Sequence, residues 1–329
     1  MKIIFINHRL KKKLLFFFIM QKNKSVCAAI VTFNRKNLLL RCLNNIIEQG
    51  GGLKKILVVD NNSTDGSEQF ILENFSSRLK YKEINFKWIR LNENIGGAGG
   101  FNKAVKEFLL SEEDYLWLMD DDGFPAKDTL EQLLKYSNEF CYIGPVVISD
   151  KDENTLSFPM RLPNSLKIID SLKDVYLKGE IIENIVLPFN GTLISRQVIT
   201  SIGLPNENYF IWGDEVDYTE RARKAGAQIF TVTSSKFFHP KAPNVGNPMF
   251  FGLLRYNDPN TDLKLYCYCR NNFANQKKYR GPLRASLFFF KSLWYYSLTR
   301  PSLRKLSIAL KGLIAGCKGD FSHHCNFLK

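Results

Sequence analysis

Four short apolar runs, each closed by a polar or glycine-rich cluster, constrain this chain more than any other feature. They are VCAAIVT (Val26–Thr32), KILVV (Lys55–Val59), FKWIRL (Phe86–Leu91) and DYLWLM (Asp114–Met119). The clusters after them are FNR, DNNSTDGS, NENIGGAGG and DDDG. Between the runs lie helical spacings. Asn37–Gln49 sets Leu38, Leu39, Cys42, Leu43 and Ile46 along one face, and Glu68–Phe75 and Phe101–Leu110 also read as helices. Strands buried on both faces, alternating with helices at this spacing, predict right-handed βαβ units around a parallel sheet. Such sheets bind ligands beyond the carboxyl ends of their strands. Four polar clusters at four strand ends therefore predict one crevice.

After Leu134 the alternation weakens. Ile143–Ile148 and Lys167–Val175 are expected strands of an irregular middle region. LPFNGTLIS (Leu187–Ser195) reads as a strand whose glycine permits close approach by another group. Gln197–Ile202 is a short helix ended by Gly203, Tyr218–Ala225 a helix ended by Gly226, and Gln228–Thr233 a further strand. From Leu263 onward the chain reads as helical, aromatic and basic, and no internal repeat is visible.

Each cluster carries both a chemical and a structural meaning. In LWLMDDDGFP, Asp120 and Asp122 can share a face of an extended segment while Asp121 points elsewhere. Paired carboxylates at a strand end suit a hard divalent ion such as Mg²⁺ or Mn²⁺, with positions left for phosphate oxygens. The bland alternative is a solvated acidic turn. The run Asn92–Asn102 is neither a dinucleotide fingerprint nor a P-loop. Its glycines before a helix can bring backbone N–H groups to anionic oxygens, or can form a flexible turn. Asp60, directly after a buried strand, can accept from a nucleobase N–H or cap a turn. In YFIWGDEVDY (Tyr209–Tyr218), aromatic residues surround three carboxylates and can raise a carboxyl toward a useful base, or the acids can belong to a helix's first turn. His239, one of four histidines, ends a strand; its value depends on reaching a metal.

With 329 residues, 45% of them hydrophobic, the chain can bury a core of one large domain with a helical appendage. Its formal net charge of +14 points to an anionic membrane surface or anionic small substrates, and the lack of nucleic-acid motifs puts nucleic acid last. The seven cysteines are odd in number and scattered without a CxxC, which reads as reduced thiols in a cytosolic protein. The N-terminal MKIIFINHRLKKKLLFFFIM has an apolar run too short to span a bilayer, so residues 1–24 are expected to lie outside the core, with either Met1 or Met20 as the start.

The ordered set AIVTFNR, VVDNNSTDG, NIGGAGGFN, LMDDDG, FNGTLIS, WGDEVDY and FHP resembles the inverting family 2 glycosyltransferases of the GT-A fold, most of all their galactofuranosyltransferase and rhamnosyltransferase-like branch. The resemblance runs over about residues 25–245 and implies a Rossmann-like α/β domain, placed at 25–250, while the helical, basic and aromatic pattern places a C-terminal helical region at 251–329. It implies that Thr32, Phe33, Arg35, Asp60, Asn94, Gly96, Gly97 and Asp121 bind a UDP- or dTDP-sugar. Asp120, Asp122 and His239 would hold the Mn²⁺ or Mg²⁺ ion, and Trp212, Asn190 and Gly191 would face substrate. The catalytic base would be Asp214 or Glu215, with Glu215 favoured. The acceptor would be a glycan or a lipid-linked glycan. A sugar nucleotidyltransferase, or a non-catalytic glycan- or membrane-binding module, stands as the alternative.

Residues Arg284–Leu313 mix aromatics with cations. They suit an interfacial helix on the anionic inner face of the cell membrane, or equally a helix packed on the catalytic domain, and Pro301 divides them into two helices.

Overall fold

The computed structural model describes residues 24–328 except 164, 166 and 242–245. The expectations for residues 1–23 therefore lie outside the described residues. Strands β1 (Val26–Thr32), β2 (Leu53–Asp60), β3 (Asn85–Arg90) and β4 (Tyr115–Asp120) alternate with helices α1 (Lys36–Ile46), α2 (Ser67–Lys82) and α3 (Gly96–Leu109). The four strands are parallel, in the order β3-β2-β1-β4. Register brings Thr32 level with Asp60, and Val31 level with Asp120. Three of the polar clusters therefore open on one edge.

The rest of the sheet is built around a reversal. After β5 (Phe124–Pro125), α4 (Thr129–Tyr136) and β6 (Cys141–Ser149), a small excursion is made by β7 (Thr155–Arg161), β8 (Ile168–Ser171), α5 (Leu172–Tyr176) and β9 (Ile181–Glu183). Strand β10 (Asn190–Ser195) then runs antiparallel between β4 and β6. After α6 (Arg196–Ile202) and α7 (Asp214–Lys224), the long β11 (Gln228–His239) lies parallel to β6 and carries His239 back to the edge where Asp120 ends β4. The expected strand at Lys167–Val175 divides into β8 and α5, and the strand expected to stop at Thr233 continues six residues to His239. The central sheet is mostly parallel with helices on both sides, as the motifs imply.

Alternation along the strands fills two cores. Ile30, Val58 and Trp117 face Leu39, Leu43, Ile71 and Leu130, while Ala29, Val59 and Leu118 face Phe101, Val105, Phe108, Val198 and Tyr218. Truncating a side chain such as Phe108 to alanine would cost about 3–5 kcal/mol. Past His239 a hairpin, β12 (Asn247–Met249) and β13 (Leu254–Tyr256), leads to α8 (Asp262–Arg280), α9 (Pro282–Trp294) and α10 (Leu303–Lys318). Pro301 does fall in the break between α9 and α10. Met249 and Tyr256 of the hairpin share a third core with Leu265, Cys269, Phe273, Ala309 and Leu313 of these helices. All seven cysteines are free thiols. Among the described residues, no helix is long and apolar enough to cross a membrane.

Candidate active site

The three aspartates do not behave alike. Asp121 turns inward and is buried, accepting from the Thr32 hydroxyl (2.7 Å) and from Arg35 Nη1 (2.9 Å). Burial drives its pKa up and Arg35 and Thr32 pull it back, leaving it at about 6. Arg35 also donates to Asp122 Oδ2 at 2.8 Å, so one guanidinium straps two neighbouring carboxylates. Thr32 and Arg35, expected to line the donor, spend these contacts on holding the aspartate turn. Arg35 remains half-exposed, and Phe33 is exposed beside it.

Asp122 meets His239. His239 Nδ1 lies 2.7 Å from the Pro240 carbonyl, which can only accept, so Nδ1 carries a proton. Its Nε2 then turns toward Asp122 Oδ1, 3.2 Å away. That contact lacks hydrogen-bond alignment, and Asp122 Oδ1 is an enclosed oxygen without a hydrogen-bond donor. Burial works to raise the Asp122 pKa, but His239 and Arg35 outweigh it and hold the carboxyl below its usual range. An ionised carboxylate oxygen beside an imidazole nitrogen, with the far nitrogen fixed by a carbonyl, is a donor set that fits a divalent cation. Among the described residues, no three His, Cys, Asp or Glu side chains converge to hold a metal by themselves. The protein supplies a partial shell there, as sites that share a cation with phosphate oxygens do.

Asp120 ends β4 beside Asp121 and Asp122. Burial raises its pKa well above the usual value, and the charges of Asp122, Asp121 and, more weakly, Glu215 add to the effect. This carboxyl links the aspartate turn to the acidic pair Asp214 and Glu215. Asp214 opens α7 and is buried, and its pKa is raised well above the usual range by burial and then by Glu215. Burial also raises Glu215, but it accepts from Asp214 and from the Gly213 N–H at 2.6 Å, and both favour its charged form. Both carboxyls are thus pushed up by burial and titrate as one interacting pair, with Glu215 the more strongly supported in its charged form. Asp217, three residues on, has a different fate. Arg221, Lys278 and Tyr279 all bind its carboxylate, which makes it part of the framework.

The loop before this pair is strained. Phe210 (φ 63°), Trp212 (φ 62°) and Gly213 (φ 94°) all occupy the left-handed region. For each of the two non-glycine residues that costs about 1–2 kcal/mol. Helix α8 holds the loop in place. Asn271 Nδ2 donates to the carbonyls of Tyr209 (3.0 Å), Ile211 (3.0 Å) and Trp212 (2.6 Å), its two protons shared among three acceptors. Asn275 donates to Gly213 O at 2.8 Å and accepts from the Tyr209 hydroxyl at 2.6 Å. The wholly buried Arg270 donates to Tyr209 O at 2.8 Å. Trp212 is left partly exposed, with Lys264 Nζ 5.5 Å from its ring centre. The sequence reading missed these three residues of α8. Their signal was two asparagines four residues apart, Asn271 and Asn275, with Arg270 next to the first, within an aromatic helix.

The glycine-rich turn packs against the same loop. Asn94 Oδ1 accepts from Gly96 N at 2.9 Å, and Asn61 clasps Ile95 N (3.0 Å) and Gly96 O (2.7 Å). Gly96 has φ 76° and lies so close to the Phe210 carbonyl that a side chain would collide with it. Gly99 and Gly100 lie against Ile95 and Val31. A Cβ on Gly97 would meet nothing within 4 Å, so among these four glycines only Gly97 opens the start of α3 to an approaching group. Asp60 is buried and accepts from Ser63 N at 2.8 Å. It borders a cavity of about 560 Å³ lined also by Gly66, Leu72 and Arg90. Asn190 sits level with Met119, next to Asp120, with its amide on Pro188 O at 3.1 Å. Gly191 is buried against Phe237 and Pro145, and its carbonyl accepts from Trp117 Nε1, so its bareness serves packing.

This geometry can be set beside known proteins. The family model described as glycosyl transferase family 2 matches residues 27–192, half of the chain. The galactofuranosyltransferase GlfT1 of Mycolicibacterium smegmatis is 28% identical over 65% of this chain and 72% of its own length. The GlfT1 of Mycobacterium tuberculosis is 29% identical over 65% of this chain and 64% of its own, so the chain spans a little under two thirds of that relative. Among solved structures, GalNAc-T7 with UDP, GalNAc and Mn²⁺ aligns at a TM-score of 0.56 and 16% identity, over 88% of this chain and 54% of that one. The mannosyltransferase PcManGT of Pyrobaculum calidifontis with GDP-Man and Mn²⁺ aligns at 0.54 and 16% identity, over 93% and 79%. At those identities the structures bear on the fold alone, which they share as a GT-A-like α/β domain. The matched motifs, the sheet and the acidic crevice converge on one assignment: the chain belongs to glycosyltransferase family 2.

Proposed function

We propose that this glycosyltransferase moves galactofuranose or rhamnose, with inversion, from a UDP- or dTDP-sugar to a hydroxyl of a glycan or lipid-linked acceptor. The relatives named galactofuranosyltransferase favour the first sugar. One observation carries the reading: the charges of Asp122 and, more weakly, Glu215 both act on Asp120, so the Asp122–His239 contact and the Asp214–Glu215 pair border one crevice.

Glu215 takes the proton of the acceptor hydroxyl as its oxygen bonds to the anomeric carbon. The carbon–oxygen bond to the diphosphate breaks with its electron pair on the diphosphate, and attack from the opposite face inverts the centre. Asp214 keeps its proton and, by donating to Glu215, fixes that carboxylate's orientation. Trp212 walls the acceptor side. Asp60 and the cavity beside it take the base, while Gly97 and the start of α3 offer N–H groups to the phosphates. Asp122 and His239, with Asp120 beside them, would form a partial shell for Mn²⁺ or Mg²⁺, which would supply positive charge where the leaving diphosphate gains negative charge. Arg35 keeps Asp121 and Asp122 from separating under their mutual repulsion. The enzyme would work at the cytoplasmic face of the membrane, where lipid-linked acceptors are met.

The test is a donor screen with UDP-galactofuranose and dTDP-rhamnose, with and without Mn²⁺, scored by nucleoside diphosphate release. Metal-dependent release with one donor supports the reading. Release of inorganic pyrophosphate, or no turnover with any sugar nucleotide, overturns it.

A further inference from the structure

The C-terminal helices divide their apolar residues between two faces. On α9, Ala285 and Ser292 are buried toward α8. On the opposite side Leu283, Leu287, Phe290 and Trp294 recur at helical spacing and stay exposed, at 73%, 55%, 66% and 41% of their surface. The helix that follows is different: α10 buries Ile308, Ala309, Leu313 and Ala315. The Arg284–Leu313 stretch is therefore not one amphipathic unit. Its exposed apolar surface belongs to α9.

That surface continues into the hairpin. The Phe250 ring stacks on Trp294 with centroids 4.4 Å apart. Beyond it, at the turn between β12 and β13, Phe251 is fully exposed and Leu253 is 84% exposed. Two large apolar side chains at a hairpin tip, joined by aromatic stacking to an apolar helix face, make one contiguous patch of the kind that marks a docking surface.

Charge decides the occupant. Between Asp262 and Asp320 the sequence has twelve Lys and Arg and no Asp or Glu. Of the twelve, Arg270 is buried and Lys278, Arg280, Arg304 and Lys305 pair with acids. Arg284 and Lys291, however, lie beside the apolar face of α9, and Arg300 follows it. A second copy of this chain would bring an equally cationic face against the first, at an electrostatic cost. An anionic bilayer offers apolar depth and negative headgroups together. We propose that the outer face of α9 and the Phe251–Leu253 hairpin tip seat together in the interfacial layer of an anionic lipid bilayer. This face would lie in the plane of the bilayer, and among the described residues no helix is long and apolar enough to cross it. This inference deepens the membrane placement given above, but it rests on the geometry of this face and needs neither the donor nor the metal.

The test is co-sedimentation of the full-length protein with vesicles of phosphatidylcholine, with and without 30% phosphatidylglycerol. Two variant pairs, F251E/L253E and L287E/F290E, are each checked for an unchanged thermal melt. Wild type should sediment with the anionic vesicles and be released by high salt. Each pair should lose about tenfold or more in partition while keeping nucleoside diphosphate release on a water-soluble acceptor. Wild type that stays in solution, or variants that bind as well as wild type, would overturn the proposal. So would light scattering that shows a wild-type dimer and monomeric variants, without vesicle binding. Vesicle binding that persists in a protein unable to turn over any sugar nucleotide would instead remove the proposed reaction and leave this surface standing.

Discussion

The two sides of the crevice are held by different means. The aspartate turn and the glycine-rich turn grow out of β4 and β3, so the parallel sheet places them, and their side chains add local ties such as Thr32 to Asp121 and Asn61 to Gly96. The loop Tyr209–Gly213 has no strand beneath it. Its left-handed backbone is held from outside by Asn271, Asn275 and Arg270, about sixty residues later in the chain. The aspartate side is thus a property of the sheet, and the side of Asp214 and Glu215, the proposed acceptor side, is a property of a docked helix. Through those contacts of α8, the C-terminal region is a structural part of the crevice.

The sharpest test of that difference removes one group from each side. Glu215→Gln should lower kcat by about 10²–10⁴-fold with Mn²⁺ affinity unchanged. Asp122→Ala should cost a similar factor but also weaken Mn²⁺ binding in a calorimetric titration. Equal effects on the metal would erase the division. The pH profile follows from the same pair. Glu215 is useful only when ionised, and burial raises its pKa above the ordinary 4.5. Transfer should therefore rise with pH along a limb above that value. Glu215→Asp should move the limb, whereas a rate independent of pH from 4 to 8 would remove Glu215 as base.

Next in size is the brace. Asn271→Ala takes this donor from the Ile211 and Trp212 carbonyls, at about 1–3 kcal/mol each where they stay dry, while the Tyr209 carbonyl keeps Arg270. Transfer should fall about 10- to 100-fold through kcat, because the loop relaxes from its left-handed conformation and carries Glu215 off line. Donor affinity, read by UDP titration, should hold. Parallel losses in UDP affinity would mean that the loop and the sheet edge move as one body.

That asymmetry also explains what could be read from the sequence. β1 to β4 were visible because buried parallel strands are short unbroken apolar runs, and their ends announced Asp60, Gly97 and Asp122. The start of α3 at Gly96 was not, since a run of glycines argues against helix; Gly99 and Gly100 are there because Ile95 and Val31 leave no room. Asp121 was expected among donor ligands, yet its neighbours in sequence gave no sign that Thr32 would face it. In WGDEVDY the three acids look equivalent, and only Lys278 and Tyr279 from α8 mark Asp217 as structural. The brace stayed hidden because aromatic and cationic residues dominate α8, and nothing in its own sequence says that the Tyr209–Gly213 loop packs against it.

A smaller effect separates the glycines. Gly97→Ala adds a methyl group in open space at the start of α3, so the melting temperature should stay within about 2 °C while the donor KM rises several-fold. Gly96→Ala, with φ 76° and the Phe210 carbonyl in the way, should lower the melting temperature by several degrees instead. The reverse pattern would assign the phosphate approach to Gly96.

The smallest effect is expected at Asp217, which tests whether the brace is ionic as well as hydrogen-bonded. Burial raises its pKa, but Lys278, Tyr279 and Arg221 overcome that and hold it below the ordinary 3.8. A lowered acid stabilises the fold at pH values above 3.8, and that contribution fades as pH falls through the lowered value. Asp217→Asn should thus cost about 1–3 kcal/mol at pH 7, with kcat close to wild type. Denaturant unfolding of the two proteins should converge toward pH 3. If they remain equally far apart at pH 3 and 7, the lost stability comes from packing around Asp217, and the ionic tie between α7 and α8 contributes nothing to holding the acceptor side.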